Sequence, residues 1–385
     1  MKRKTGFVFV WLLFGFCAGA AELTPSPVNG VEVARRVALS YMKRHPVESL
    51  DWGWQDAVFL YGLDRLKSSL PAKDEDRRTM VRYLAQYQES WRKKGIPTIN
   101  RSDVCPSALA ALSLARVEGE KTGLEAAGAV AEYVSKHPRN RLGALNHLGS
   151  SWMRWFYPNS IWVDSLMMYA VFAAQWADFR HDLSLLKFAA RQPLIFADQL
   201  QDPATGLFRH AYLLSLDSVV PKEEAFWLRG NGWVLVSIAE ILDAMGEEPT
   251  LSYEREQLLT VFRRLSGALM DRVSKAGDWP ELLMDCETSR PESSGTALVA
   301  AALLRGAQRG WLEPARARAV GNRALARVAA QVEIRPDGAS VLTGISGPTN
   351  AFPKWFYLQV SHEADLAYGV GAFLMAAAEA GAQTP

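Results

Sequence analysis

Cysteine is scarce in this sequence, with three residues among 385. One of them, Cys17, lies in an apolar segment at the N-terminus, so Cys105 and Cys286 remain for the folded part of the chain. Two cysteines can form one disulfide bond in an oxidising compartment, and the sequence leaves open whether these two pair. They are too few for a disulfide framework or for a cysteine-based metal site.

An excess of charge of either sign is also missing. The chain has 43 Lys and Arg against 41 Asp and Glu, which gives a formal net charge of +2. Because proteins that bind nucleic acid neutralise phosphates with a basic surface, this balance argues against nucleic acid as the main partner. With 49% hydrophobic and 22% charged residues, the composition is that of a globular chain with enough apolar side chains for a core.

Long apolar runs occur only at the N-terminus. Residues 2–4 are basic, residues 7–16 are apolar, and residues 18–20 provide small side chains for cleavage. This pattern is typical of a secretory signal peptide, and its apolar run is too short to span a bilayer stably. We therefore expect residues 1–20 to be removed, which leaves a net charge of about −1. The protein is then expected to be exported to the periplasm or secreted, without membrane contact after cleavage.

Beyond residue 20, apolar residues recur with the 3.6-residue period of helices and show almost no strand-like alternation. In the segment 75–94, for example, Met80, Leu84, Tyr87 and Trp91 share one face of a helix whose other face is charged. The periodicity predicts twelve helices, at about residues 31–44, 52–68, 75–94, 103–116, 122–136, 161–178, 182–198, 225–245, 251–273, 292–308, 313–332 and 362–381.

The loops between these helices alternate in length. Loops that follow even-numbered helices are short, whereas loops that precede them lengthen along the chain, up to residues 333–361. Short connections make antiparallel neighbours, so the sequence predicts six helical hairpins with all the long loops at one end. The even-numbered helices are apolar nearly all round, as inner helices must be. We therefore predict an all-α fold, an (α/α)6 barrel or six-hairpin toroid, formed by residues 21–385 as a single domain.

Aromatic and polar residues collect where the even-numbered helices begin. The predicted barrel brings these starts together at one mouth, where helix N-termini favour anions and long loops carry function. Aromatic rings that can stack on sugars, combined with carboxylates, Arg and His, suit a carbohydrate site. The candidates are Asp103, Trp162, Asp164, His210, Trp227, Arg229 and Trp233.

Each candidate also has a purely structural explanation. Asp103 and Asp164 could simply cap their helices, and a lone His such as His210 is usually structural. The segment 226–233 is harder to explain in this way. Its Arg and Asn need partners inside an apolar helix, and its two glycines weaken a helix unless something approaches closely.

Five segments in order resemble glycoside hydrolase family 105. They are residues 162–168 (WVDSLMM), 206–210 (GLFRH), 226–233 (FWLRGNGW), 292–295 (ESSG) and 368–373 (YGVGAF). The resemblance runs from about residue 30 to the C-terminus. It implies an (α/α)6 barrel without a metal or other cofactor. It also implies the activity of unsaturated rhamnogalacturonyl hydrolases and related unsaturated uronyl hydrolases, which act on oligosaccharides.

The resemblance assigns roles to the candidates. In this family an Asp in a W-x-D motif protonates the vinyl ether of a 4,5-unsaturated uronic acid and activates water at C5. Asp164 matches that residue, and we expect apolar walls and a second carboxylate to raise its pKa. Asp103 resembles the second active-site aspartate, and Trp162 is expected to stack on the unsaturated ring. Arg229 offers a planar fork for the substrate carboxylate. The matching substrate-binding positions are His210, Trp227, Arg229 and Trp233.

One departure leaves other functions open. Family members often carry a His shortly before the W-x-D motif, and Met153 stands at that position here. One alternative is an ordinary inverting glycosidase that uses Asp103 and Asp164 as acid and base. Another is a glycan-binding protein that kept the fold and lost catalysis, for which Met153 is the best support.

Overall fold

Helices and short strands alternate along the chain in the computed structural model, which describes residues 29–119, 121–285 and 289–382. The predicted signal peptide and Cys286 lie outside these residues. The helices are α1 Gly30–Arg44, α2 Trp54–Ser68, α3 Glu75–Lys94, α4 Leu109–Val117, α5 Leu124–Lys136, α6 Val171–Arg180, α7 Leu183–Leu200, α8 Leu228–Met245, α9 Ser252–Met270, α10 Ser293–Gln308, α11 Pro314–Ala329, α12 Lys354–Tyr357 and α13 Ala367–Gly381.

Six helices form a closed inner ring. In the order α2, α4, α6, α8, α10 and α13, each packs against the next, and α13 packs back against α2. Helices α1, α3, α5, α7, α9 and α11 lie outside this ring and contact its members. This arrangement is the predicted (α/α)6 barrel. Among the described residues, no helix combines the length and the apolar character needed to cross a membrane.

Glycines allow the inner helices to approach one another closely. A Cβ atom on Gly62 of α2 or on Gly371 of α13 would overlap backbone atoms of the other helix. In α8, a Cβ atom on Gly232 would lie 2.8 Å from the Cβ of Leu298 in α10. The close approach that explains Gly232 is therefore made by a neighbouring helix. Contact at this distance leaves no room for a methyl group without a shift of the backbone.

The outer helices follow their amphipathic sequence. In α3, Asp74 caps the N-terminus by accepting hydrogen bonds from the backbone N–H groups of Asp76 and Arg77. Met80 and Tyr87 on its apolar face are fully buried. Burial of such faces against the inner ring supplies most of the stability of helices of this length.

The long loops contain short strands that the sequence analysis missed. They are β1 Ser160–Trp162, β2 Ala211–Leu213, β3 Ser218–Val220, β4 Val332–Ile334, β5 Ser340–Leu342, β6 Ile345–Ser346 and β7 His362–Glu363. The predicted starts of the sixth helix at 161 and of the last helix at 362 are therefore wrong, because these residues belong to β1 and β7. Strands of two or three residues are too short to show alternation, and their partners are distant in sequence.

The other differences also fall at the mouth, the end of the barrel where the inner helices begin. Residues 102–108 form two short 3-10 turns, Ser102–Val104 and Pro106–Ala108, before α4 starts. The sixth inner helix begins at Asp164, passes through a π-helical turn at Leu166–Ala170, and continues as α6. Asp164 thus lies in the first turn of its helix, and π-helical turns are frequently found at functional sites.

The opposite end of the barrel, the base, holds a buried cluster of ion pairs. Arg305 of α10 lies between Glu240 of α8, at 2.7 Å, and Glu379 of α13. Arg65 of α2 is 3.1 Å from the same Glu379 carboxylate. Burial raises the pKa of Glu240, but the positive charges of Arg305 and Arg65 outweigh burial and lower it to about 2. The cluster ties four of the six inner helices together where they end.

Candidate active site

Asp164 is held at the mouth by a small antiparallel sheet. Strand β1 pairs with β2 so that Trp162 is opposite Ala211, and the backbone N–H of Val163 donates to the carbonyl of His210 at 3.0 Å. This pairing places the His210 ring beside Asp164, with 3.1 Å between Nε2 and Oδ2. The sheet therefore fixes the carboxylate relative to the imidazole, and the Asp164 side chain keeps 16% of its surface exposed.

His210 is buried and bonded at both ring nitrogens. Its Nδ1 lies 2.8 Å from the hydroxyl of Tyr357, which ends the short helix α12. An ionised carboxylate can only accept, so Nε2 donates to Asp164, and when the imidazole is neutral Nδ1 accepts from the Tyr357 hydroxyl. The ring of Trp227 covers His210 at 4.4 Å between centroids. Asp164, His210 and Tyr357 thus form a continuous chain that runs from the solvent into the protein.

A second, similar array lies beside the first. His147 is buried, and its Nε2 is 3.7 Å from Oδ1 of Asp103. The hydroxyls of Ser165 and Ser102 lie 2.9 Å and 3.1 Å from its Nδ1. The carbonyl of His147 accepts from the backbone N–H of Ser102. Asp103, predicted in the fourth helix, instead lies in the 3-10 turn before it.

Trp162 lies between the two imidazoles. His147 stacks on it at 4.3 Å with an interplanar angle of 9°, whereas His210 meets it edge-on at 5.3 Å. Tyr157 makes a further edge contact at 5.2 Å, and the indole N–H donates to the hydroxyl of Ser160. One face of Trp162 is therefore already occupied by His147, and stacking of the unsaturated sugar on this ring stays a prediction.

The pKa values of the two carboxyl groups, Asp103 and Asp164, are shifted in opposite directions. Burial raises the pKa of Asp103, and His147 and Arg101 offset only part of that effect. Burial also acts to raise the pKa of Asp164, but the hydrogen bond from His210 and the charges of His210 and His147 outweigh it, so this pKa is lowered. The expectation of a raised pKa at Asp164 is wrong for the protein without substrate. The sequence named His210 but did not show that its imidazole donates a hydrogen bond to Asp164, and it did not reveal His147.

Arg229 has a different position from the one predicted. It is 1% exposed, and its guanidinium donates to the carbonyls of Ser346 and Gly347 at 2.9 Å and 2.8 Å. It also donates to the hydroxyl of Thr349. The planar fork is thus used to hold residues 346–349 of the loop before α13. In the protein without substrate these bonds leave Arg229 no open fork, and its role in binding the substrate carboxylate stays a prediction.

The structure places Trp227 and Trp233, both predicted to bind substrate, in different surroundings. Trp227 lies at the site, against His210, but it is 2% exposed. Trp233 is 1% exposed and packs within the main hydrophobic core of the barrel, away from the surface. Asn231, two residues before it, bonds the backbone N–H and carbonyl of Phe208. This segment therefore mainly holds the start of α8 against the GLFRH loop (residues 206–210), and little of it lines a binding surface.

The sequence analysis missed Tyr357, which bonds His210, and His147. His147 is the more informative of the two. It is one of six histidines in the chain and lies in a long loop, six residues before Met153. Its place in the loop ahead of Asp164 was a signal, but Met153 stands at the position where family members often carry the His. Met153 itself lies in the 3-10 turn Trp152–Trp155. Across the residues that the structure describes, no group of three or more His, Cys, Asp or Glu is arranged to hold a metal ion.

The helical barrel and the carboxylates at its mouth are those of a glycoside hydrolase with a six-hairpin fold. A model of glycosyl hydrolase family 88 matches residues 33–383. The chain belongs to this family.

The names of two relatives agree with the family that the sequence motifs indicate. The unsaturated rhamnogalacturonyl hydrolase YesR of Bacillus subtilis is 26% identical over 261 residues, which cover 66% of this chain and 70% of that protein. An unsaturated 3S-rhamnoglycuronyl hydrolase of Alteromonas is 30% identical over 174 residues, or 45% of this chain and 40% of that protein.

The fold also matches a solved structure. A possible member of family 105 from Salmonella enterica superposes with a TM-score of 0.79 at 20% identity, over 94% of this chain and 96% of that one. The barrel fold is thereby confirmed, and the resemblance to family 105 agrees with the family model and the curated relatives.

Proposed function

We propose that the protein removes a 4,5-unsaturated uronic acid from the non-reducing end of oligosaccharides of the rhamnogalacturonan or pectin type, such as polysaccharide lyases release. The observation that carries this proposal is the Asp164–His210 pair, 3.1 Å apart at the mouth and still partly open to solvent. The names of the relatives from Bacillus and Alteromonas add support for an unsaturated uronyl substrate.

The reaction adds water across the double bond. Asp164 gives a proton to C4, and its carboxylate then takes a proton from the water whose oxygen bonds to C5. The product at C5 is a hemiketal, which opens to a ketone. C1 then carries a hydroxyl beside the glycosidic oxygen, and this hemiacetal expels the rest of the oligosaccharide. Asp164 returns to its starting protonation state, and one water is consumed in each turnover.

The first step requires a protonated Asp164, although its pKa is lowered in the free protein. The substrate itself carries a carboxylate. A second negative charge brought into a desolvated site raises the pKa of a neighbouring carboxyl group, because both cannot remain ionised at little cost. Binding of the uronate therefore shifts Asp164 towards the protonated form, and substrate without a carboxylate lacks this effect.

An Asp164→Asn variant tests the proposal. The wild type is mixed with lyase-generated rhamnogalacturonan oligosaccharides, and loss of the ultraviolet absorbance of the unsaturated uronate is followed. Activity in the wild type and none in the variant supports the proposal. If the wild type leaves the absorbance of several such substrates unchanged while still binding them, hydration of the double bond is excluded, which leaves a non-catalytic glycan-binding protein or an inverting glycosidase.

The pKa values of the two aspartates are shifted in opposite directions, and this observation favours a second candidate function, that of an inverting glycosidase. A raised pKa at Asp103 and a lowered pKa at Asp164 are what an acid and a base of an inverting glycosidase need. In this reaction the leaving oxygen is protonated by Asp103, and Asp164 activates water at C1. Cleavage of a saturated uronosyl oligosaccharide, with inversion at C1 seen by NMR, would favour this candidate over hydration.

We also propose that the protein is exported, on the basis of its first twenty residues. Fractionation of cells that express the full chain tests this proposal. The chain is expected outside the cytoplasm, shortened at its N-terminus, and a chain lacking residues 2–20 is expected to stay in the cytoplasm. Full-length chain in the cytoplasm would contradict export.

A further inference from the structure

Two loop tips at the mouth expose an unusual amount of apolar surface. Residues 152–157 and 351–358 carry six of the twelve large apolar side chains that are exposed on the described part of the molecule. Single exposed apolar residues are common, but a concentration of this kind marks an interaction surface. We call these two tips the aromatic rim. Its exposed members are Trp152, Trp155, Phe156, Phe352, Trp355 and Leu358.

The rim is held in place by hydrogen bonds and ring contacts. The hydroxyl of Tyr157 donates to the carbonyl of Ala351 at 2.9 Å, which joins the two tips. Trp152 packs edge-on against Phe156 at 5.8 Å in the first tip. In the second tip, Phe356 packs edge-on against Phe352 at 4.9 Å. The exposed rings are therefore presented on ordered turns, and folding did not bury them.

Both tips continue directly into the candidate active site. Tyr157, at the end of the first tip, contacts the ring of Trp162. Tyr357, in the second tip, bonds His210. A chain of sugars whose terminal residue lies at Asp164 must leave the site through the mouth, where both tips lie. We propose that the aromatic rim is a second binding region, which stacks on the sugars that follow the terminal unsaturated residue. This inference rests on the proposed function.

The chemistry of the rim favours sugars over a lipid surface. Trp and Phe rings offer flat apolar faces that match the C–H faces of pyranose rings, and their few rotatable bonds keep the entropy cost of binding low. Binding to anionic lipid requires several basic residues. The rim carries Arg154, which lies over Trp155 at 4.9 Å, and Lys354, which is paired with Asp285 at 2.8 Å. Two cations, one of them neutralised, are too few for that purpose.

The test compares two substrate lengths in a Trp155→Ala/Trp355→Ala variant. The probes are the unsaturated disaccharide and the unsaturated hexasaccharide from a rhamnogalacturonan lyase. Because the rim lies beyond the terminal sugars, KM for the hexasaccharide is expected to rise about tenfold or more, which corresponds to the loss of about 1.4 kcal/mol. The kcat values and KM for the disaccharide are expected to stay unchanged. Equal changes for both lengths, or none for either, would overturn the proposal.

A matched control removes an aromatic ring elsewhere. Tyr253 on the outer helix α9 is 71% exposed, close to the 76% of Trp155. A Tyr253→Ala variant is expected to behave as the wild type on both substrates. Circular dichroism and thermal unfolding of all three proteins check that the double variant is folded.

An error in the proposed function can be distinguished from an error in the proposal that the aromatic rim binds sugars. If the wild type turns over neither substrate, binding of a saturated rhamnogalacturonan hexasaccharide is followed by isothermal titration calorimetry. Binding that the double variant loses supports the rim, and equal binding by both proteins overturns it. Two other results would also overturn it. One is a wild-type dimer that the variant loses in light scattering, and the other is wild-type binding to phosphatidylglycerol vesicles that the variant loses.

Discussion

The two ends of the barrel both bury carboxylates, but they treat them differently. At the base, Glu240 and Glu379 are 3% and 5% exposed, and each pairs with Arg305. At the mouth, Asp164 faces His210, and its side chain keeps 16% of its surface exposed. A guanidinium is always charged, whereas an imidazole changes its charge near neutral pH. The base therefore fixes the charge of its carboxylates, and the mouth leaves it adjustable.

The comparison shows that burial of a carboxylate is not by itself a sign of catalysis. Burial acts to raise the pKa of Glu240 and of Asp164 alike, and in both cases basic neighbours outweigh it. What separates the two ends is the type of partner and the access of solvent. Proton transfer needs a group that can be reached by substrate and whose charge can change during the reaction. Those two conditions are met at the mouth alone, among the two clusters compared.

The largest effect on activity is expected from Asp164→Asn. Because a positioned acid or base contributes about 10²–10⁴-fold, kcat should fall about 10³-fold on unsaturated oligosaccharides. Because the pKa of Asp164 is lowered, its ionised form stabilises the fold, so the variant should also lose some stability at neutral pH although the amide still fits beside His210. Steady-state kinetics and thermal unfolding measure the two effects. A variant that keeps more than a tenth of the wild-type kcat would remove Asp164 from the chemistry.

The largest effect on stability is expected at the base. Arg305→Met leaves the carboxylates of Glu240 and Glu379 buried without their main partner, and the loss of one member of a buried pair costs about 3–5 kcal/mol. Urea unfolding at neutral pH measures this cost. The triple variant Arg305→Met/Glu240→Gln/Glu379→Gln is the control and should recover part of the lost stability. Per folded molecule, kcat should be unchanged, and a drop in kcat would mean that the two ends are coupled.

Replacement of a carboxylate by an amide should change the free energy of unfolding in opposite directions for Glu240 at the base and Asp103 at the mouth. Glu240 has its pKa lowered from 4.5 to about 2, so its ionised form stabilises the fold above pH 4.5 and this contribution is lost as pH falls to about 2. Glu240→Gln should therefore destabilise the protein at pH 7 by about 2–4 kcal/mol. Asp103 has a raised pKa, so its ionised form costs stability at pH 7. Asp103→Asn should leave the free energy of unfolding unchanged or increase it.

Urea unfolding of both variants between pH 3 and pH 7 checks this pair of predictions. For Glu240→Gln, the difference from the wild type should shrink as the solution becomes more acidic. Destabilisation by Asp103→Asn as large as that by Glu240→Gln would show that the mouth fixes its charges as the base does.

A smaller effect is expected on the pH profile. His210 lowers the pKa of Asp164 through its hydrogen bond and its charge, so His210→Phe should raise that pKa. The profile of kcat/KM, which reports the free enzyme, should move to higher pH even though the rate itself falls. His181→Phe is the matched control, because His181 lies at the end of α6 away from the mouth. A profile that stays in place would mean that another group governs the rate.

Much of the fold follows from local sequence patterns. Segment 75–94 is a helix with the predicted bounds, and the alternation of loop lengths placed six helices inside and six outside. These features depend on periodicity and chain length, which are visible in one sequence. The starts at 161 and 362 were wrong because β1 and β7 are defined by partners about fifty and seventeen residues away along the chain. No local pattern records such a partner.

The site was predicted in part. Asp164, His210 and Trp162 were named from their motifs, and the structure brings all three together. The sequence did not show which charged and aromatic side chains of segment 226–233 lie at the site. Arg229 and Trp233 are two turns of α8 or less apart from Trp227, yet each meets a different neighbour. Which face of an apolar helix meets the site is decided by packing in three dimensions.

The sequence by itself determined the hairpin count, the inner and outer helices, and the end of the barrel at which chemistry is concentrated. These properties follow from the apolar period and from loop length, which are local or nearly so. Only the tertiary structure decided that His147 stacks on Trp162, that Arg229 anchors a loop, and that the pKa of Asp164 is lowered. Each of these depends on a contact between segments far apart in the chain. The pKa of a buried carboxyl group is set by the neighbours that folding brings to it.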